Sequence, residues 1–128
     1  MLDYSILLPE GILVLEPQAP LSKEDFGAIS TAADLYLSNH DKLRGVLIHS
    51  QAFPGWEDFR GFAAHMRFVR EHHEKVERVA VATDSPLAGL LESLGKLFIS
   101  AEVKHFPYME NAKALDWLKA TQGLGVPA

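Results

Sequence analysis

The sequence predicts an α/β fold: a mixed, mostly parallel five-stranded sheet with an initial hairpin and flanking helices. Three observations predict it. Short apolar runs alternate with longer segments whose apolar residues recur at helical spacing. The resulting order is ββαβαβαβα, and strands separated by helices imply right-handed crossovers and parallel pairing. The first two runs are joined by only a few residues, so they form an antiparallel pair.

The hairpin comes first. Tyr4 to Leu8 and Ile12 to Leu15 flank Leu8-Pro9-Glu10-Gly11. Pro9 presets φ for the second position of a turn, and Gly11 suits the fourth. Ile12-Leu13-Val14-Leu15 is apolar without alternation, the pattern of a strand buried on both faces. Glu16-Pro17 ends it. Ser22 begins the first helix, and Asp25 three residues on completes a capping pattern. Phe26, Ile29, Ala33 and Tyr36 form its core stripe, and Asn39 and His40 mark its exit.

Gly45 to His49 is the next strand, followed by a loop with a Pro-Gly pair, Pro54-Gly55. The second helix is expected from about Glu57, its acidic start suiting the positive helix end. Phe59, Phe62, Ala63 and Met66 read as its buried face, with Val69 or Arg70 one turn on. Arg67, Arg70, His72, His73 and Lys75 read as a solvated end. Arg78 to Thr83 is another buried strand. Ser85-Pro86 opens a third helix with the stripe Leu87, Leu90, Leu91, Leu94 and Phe98. Ala101 to Phe106 alternates, with Glu102 and Lys104 on its polar side, so it reads as an edge strand stopped by Pro107. A last helix runs from about Glu110 to Thr121, with Ala114, Leu115 and Leu118 inward and Gly123 at its end. The tail from residue 124 is expected to fray.

Composition narrows the function classes. A chain of 128 residues suits one domain, 1–128. The absence of cysteine excludes disulfides, thiolate catalysis and cysteine-ligated metal sites. The N-terminus lacks a basic segment and a long apolar run, so no signal peptide is expected, and no stretch has the length of a membrane span. The expected location is the cytoplasm. The net charge is −5 and the basic residues are scattered along the chain, which disfavours nucleic acid and anionic membranes as partners. Homodimerisation through the first strand or the second helix is compatible with the pattern.

The element order and its punctuation resemble the SpoIIAA-like family, which is related to STAS domains and shares fold kinship with CRAL-TRIO (Sec14-like) lipid-binding domains. The residues that carry the resemblance are LLPEGILVLEP, GVLIHS, FPGWEDF, VAVATDSPLAG and VKHFPYMENAKALDWL, which together extend over nearly the whole chain. The resemblance implies the fold. STAS antagonists of anti-sigma factors carry a phosphorylatable Ser after the third strand, in an Asp-Ser pair followed by Gly and a helix. The nearest position here is Ser50, which follows His49 and precedes the longer loop from Gln51 to Gly55. The phospho-switch signature is therefore absent.

Candidate residues follow from topology. Ligands in open α/β sheets bind beyond the carboxyl ends of the strands. Those ends carry His49, Ser50, Thr83 and Tyr108, and the aromatic loop with Phe53 and Trp56 starts at the same rim, ahead of Phe59. Two large aromatics on one loop can line an apolar pocket; they can equally plug the end of the sheet. The six histidines do not form a metal motif. His65 and His72 share a helix face but stand about 10 Å apart along the axis, too far for one ion. His49 and Ser50 are strand neighbours with opposite side-chain directions, so a triad with Asp84 is not expected. No Gly-rich phosphate loop or G-x-S-x-G elbow occurs. The expectation is a non-catalytic domain without a cofactor, binding a small apolar or lipid-like ligand through His49, Phe53, Trp56, Phe59, Thr83 and Tyr108. The alternative is a STAS-like regulatory protein-interaction module with Ser50 as its modifiable residue.

Overall fold

Ser22 is the N-cap of the first helix, as its position predicts. Its hydroxyl accepts from the Asp25 backbone N–H at 3.2 Å, and the Asp25 carboxylate accepts from the Ser22 N–H at 2.9 Å. This reciprocal box satisfies two amide groups that the helix itself leaves without partners. A computed structural model of the chain describes residues 2–52, 55–84 and 102–123. The expected third helix, Phe53 and the tail from residue 124 lie outside the described residues.

The strands are β1 (Leu2–Leu7), β2 (Ile12–Pro17), β3 (Leu43–His49), β4 (Val76–Ala82) and β5 (Glu102–Phe106). They form one sheet in the order β1-β2-β3-β4-β5. β1 runs antiparallel to β2, and every later pair is parallel. The sheet thus has the hairpin and the parallel pairing that the sequence predicts. The hairpin turns on Gly11, whose φ of +77° lies where a Cβ is disfavoured and whose N–H donates to the Leu7 carbonyl.

The helices are α1 (Lys23–Leu37), α2 (Phe59–His72) and α3 (Asn111–Gly123). They divide the core into two layers because residues on each strand alternate in direction. Leu13 and Leu15 of β2, Val46 of β3, and Val79 and Val81 of β4 pack with Phe26, Ile29 and Ala33 of α1. Ile12, Leu47, Ala80, Ala82 and Phe106 face the other way and pack under Ala114 and Leu118 of α3. α1 and α2 therefore share one face of the sheet, and α3 covers the other. Apolar strands without polar alternation are what such double coverage requires.

The rotation of α2 departs from the sequence reading. Phe59 is 77% exposed rather than buried. The inward stripe is Gly61, His65, Phe68, Val69 and His72, with Gly61, Val69 and His72 fully buried. Asp58 caps the helix by accepting from the Gly61 N–H at 3.0 Å, so α2 starts at Phe59 and not at Glu57. Phe59 sits two residues before Gly61, about 200° around the axis, and so faces away from the sheet. The reading of His72 as a solvated helix end is likewise corrected. His72 is 3% exposed, and both of its ring nitrogens have partners, the Phe68 carbonyl and Asp34 Oδ1, each at 2.9 Å. A buried histidine is tolerated when both ring nitrogens find partners.

Candidate functional site

The expected rim residues separate onto the two faces of the sheet. His49 ends β3 in phase with Leu47, on the α3 side. Its ring stacks on Tyr108 with centroids 4.4 Å apart and planes 9° from parallel. Its Nε2 donates to the Tyr108 carbonyl at 3.2 Å, and its Nδ1 lies 3.3 Å from Glu16 Oε2. His49 thus ties the end of β2 to the turn after β5.

Thr83 and Ser50 support that rim from below. The Thr83 hydroxyl donates to the Gln51 carbonyl at 3.2 Å, and its N–H donates to Phe106 O at 2.9 Å. His105 Nε2 donates to the Thr83 carbonyl at 2.8 Å. Asp84 accepts from the Tyr108 N–H at 3.0 Å, which fixes the chain leaving β5. Ser50 is buried, and its hydroxyl donates to the Ala52 carbonyl at 2.9 Å. The polar groups of this rim are therefore largely spent on backbone, the usual fate of buried polar atoms.

Trp56 belongs to the opposite face. It forms a parallel bridge with Leu21, reinforced by Leu21 N–H to Gly55 O and Glu57 N–H to Leu21 O, each at 2.8 Å. This small clasp seats the loop beside the start of α1. The Trp56 indole Nε1–H donates to His65 Nδ1 at 3.0 Å. Phe26 of α1 stacks on the same imidazole, with centroids 4.7 Å apart. His65 is thus held by one residue from the rim loop and one from α1.

Behind His65 lies an apolar cavity of about 50 Å³ between the α1–α2 pair and the sheet. Leu15, Val46, Ile48, Val76 and Val79 form its sheet side. Phe26, Ile29, His65, Phe68 and Val69 form its helix side. Among the described lining residues, His65 is the one that is not a hydrocarbon. Burial lowers its pKa from the ordinary 6.5 to about 4, because desolvation penalises the charged ring.

The structure therefore brings His49, Tyr108, Thr83 and Ser50 together, and places Trp56 with His65 and the cavity. Phe59 joins neither group: it is exposed at the first turn of α2. Phe26 and His65 were not among the residues singled out for ligand binding. The signal for His65 was its place in the 61-65-68-72 series, which has helical spacing but alternates apolar and polar residue types. No group of three or more metal-binding side chains occurs among the described residues. Among them, too, no helix is long and apolar enough to cross a membrane.

Comparison with known proteins agrees with this architecture. The crystal structure of an uncharacterised DUF3478-family protein from Shewanella loihica PV-4, with a SpoIIAA-like fold, superposes with a TM-score of 0.69 at 19% identity, covering 92% of each chain. At that identity the likeness speaks for the fold. No curated protein matches the sequence. The SpoIIAA-like family profile matches residues 12–119, and the chain belongs to the SpoIIAA-like family.

Proposed function

We propose that this chain is a non-catalytic binding domain that holds a small, slender apolar ligand between the α1–α2 pair and the sheet. The observation that carries this reading is the cavity, lined among the described residues by hydrocarbon side chains and one polar group, His65, held by the rim residue Trp56. Ligand sites are commonly apolar concavities with a few placed polar groups. The cavity sets a size limit. An engineered apolar cavity of about 150 Å³ accepts benzene, and this one is about 50 Å³. It takes the end of a narrow chain, and the rest of a longer ligand must lie outside it. The aromatic loop and the kinship with Sec14-like domains point the same way.

Native mass spectrometry of the purified protein, followed by organic extraction, tests the reading. A co-purifying apolar species, lost in Val69→Leu, is the expected result. Val69 is 5% exposed and lines the cavity, so the added methylene takes up ligand space. Unliganded protein that also binds no added alkyl probe would overturn the proposal.

The regulatory alternative rests on Ser50, whose hydroxyl is bonded to the Ala52 carbonyl in a buried position. A kinase would have to open that turn first, so the geometry gives this reading less support than the cavity gives the first.

A further inference from the structure

We propose that the ligand taken by this cavity is uncharged and carries a single hydrogen-bond acceptor, which meets the Nε2–H of His65. This inference rests on the binding reading above and names the chemistry of its ligand.

The argument starts from the indole. A tryptophan Nε1–H can only donate. It lies 3.0 Å from His65 Nδ1, so that nitrogen accepts and carries no proton. A neutral imidazole then has its one proton on Nε2. The ring is neutral near pH 7 because burial holds its pKa at about 4. Trp56 thus sets the tautomer, as a neighbouring hydrogen bond does for many functional histidines.

Nε2–H has no bonding partner among the described residues, where Trp56 is the one residue hydrogen-bonded to His65. The other lining side chains are hydrocarbons and offer it none. His65 is partly buried and lines an apolar cavity, and a donor facing hydrocarbon without an acceptor is costly. A ligand that brings an acceptor removes that cost, and a pure hydrocarbon leaves it in place.

The same surroundings select against charge. Among the described residues no lysine or arginine lines the cavity, so a carboxylate placed there would be desolvated without a counterion from them. A ligand cation would meet a donor where it needs an acceptor. What remains is a ketone, aldehyde, ester or ether group near the end of a narrow apolar chain.

Three probes of matched size separate these cases: 2-hexanone, n-hexane and hexanoate, titrated at pH 7 into ¹⁵N-labelled full-length protein. The readouts are the backbone amides of Val46 and Val69 and the side-chain ¹⁵N resonances of His65. The expected result is binding of 2-hexanone about tenfold tighter than n-hexane, the fold-change of one satisfied hydrogen bond. Hexanoate should show no saturable binding. The His65 Nε2 resonance should move with the ketone alone. His65→Phe should bring ketone and alkane to equal affinity, whereas His65→Gln, which keeps both an acceptor for Trp56 and a donor, should retain the preference. Equal affinities in the unaltered protein would overturn the inference while leaving the cavity reading intact; a water held permanently on Nε2 would produce that pattern. Tightest binding by hexanoate would also overturn it. Absence of binding by all three probes would overturn both readings.

Discussion

The Asp34 carboxylate of α1 lies 2.9 Å from Nε2 of His72, the last residue of α2. The ring is 3% exposed, and its Nδ1 donates to the Phe68 carbonyl one turn earlier. Phe68 stacks against the same ring at 4.3 Å. The pair is a polar tie between two helices that also meet through the Phe26–His65 stack. Its carboxylate is 63% exposed, so solvent can reach the ring nitrogen once that carboxylate is gone. Asp34→Ala should therefore cost only about 1 kcal/mol, the low end of the range for a stranded buried polar group. His72→Ala also removes a packed ring and should cost about 2–4 kcal/mol. Urea denaturation of both variants checks the order; equal losses would show that the carboxylate, not the ring, dominates.

Gly45 gives α3 its seat. A Cβ at this position would come within 2.6 Å of the Leu118 Cδ2 and 3.2 Å of its Cβ. Leu118 is fully buried against Ile12, Leu47 and Ala80, so its side chain has little room to retreat. Gly45→Ala should destabilise the protein by about 1–3 kcal/mol through overpacking. Leu118→Ala should cost about 2–5 kcal/mol from the opposite cause, a cavity. The double variant should lose less than the two single losses added together, because the smaller Leu118 makes room for the new methyl. Thermal or urea melts of all four proteins close that cycle; strict additivity would mean the two residues do not share the space.

Gly61 makes an analogous approach on the other face. Its missing Cβ would lie 2.5 Å from the Leu21 carbonyl oxygen. That oxygen already accepts from the Glu57 N–H, so backbone on both sides is fixed. In an unconstrained helix Gly→Ala gains about 0.5–1 kcal/mol. Here the contact is with main chain, and the sign should reverse, to a loss of about 1–3 kcal/mol. The clasp between Leu21 and Trp56 should open with it. The Trp56 indole N–H, bonded to His65 at 3.0 Å, should resonate downfield in the unaltered protein and move toward the free-indole position in the variant. A stabilised Gly61→Ala protein with an unmoved indole signal would show that the approach is not tight in solution.

These contacts also show how far the residues announced the structure. The described strands, the Ser22 box and the inward positions Ala114 and Leu118 follow from local pattern, because each depends on spacing within one element. The phase of α2 does not. Its large apolar residues Phe59, Phe62 and Met66 suggest a stripe, yet the inward series runs through Gly61, His65 and His72, with His65 partly buried. What decides the phase is tertiary: a glycine is needed where Leu21 passes, His72 is tolerated because Asp34 and the Phe68 carbonyl satisfy both its ring nitrogens, and His65 is held on its Nδ1 side by Trp56. Those partners are distant in sequence or depend on the turn geometry. The rim cluster of His49, Thr83 and Tyr108 was legible because it needs only the ends of parallel strands. The cavity was not, because it forms where α1, α2 and three strands fail to fill space.

The neutral His65 ring makes stability depend on pH in a defined window. Its folded-state pKa is about 4 and its ordinary value 6.5. Between these values the unfolded chain binds a proton that the folded protein refuses. Stability rises with pH wherever the unfolded state holds more protons. The contribution is therefore complete above about pH 6.5, falls as the solution is acidified toward pH 4, and then levels off. The limiting slope is about 1.4 kcal/mol per pH unit, and the accumulated loss should be about 2–3 kcal/mol, since the residue is only partly buried and solvent screens it. Asp58 does not blur this window. Its carboxyl is held below the ordinary 3.8, first by the Gly61 N–H and then by the Arg60 side chain, so its share is lost only at lower pH. Other carboxylates do titrate near the acid end, so the comparison is between the protein and His65→Gln at each pH. The difference between their unfolding free energies should shrink steadily from pH 7 to pH 4. A constant difference across that range would mean that the folded ring titrates near the ordinary 6.5 and is not desolvated in the folded protein.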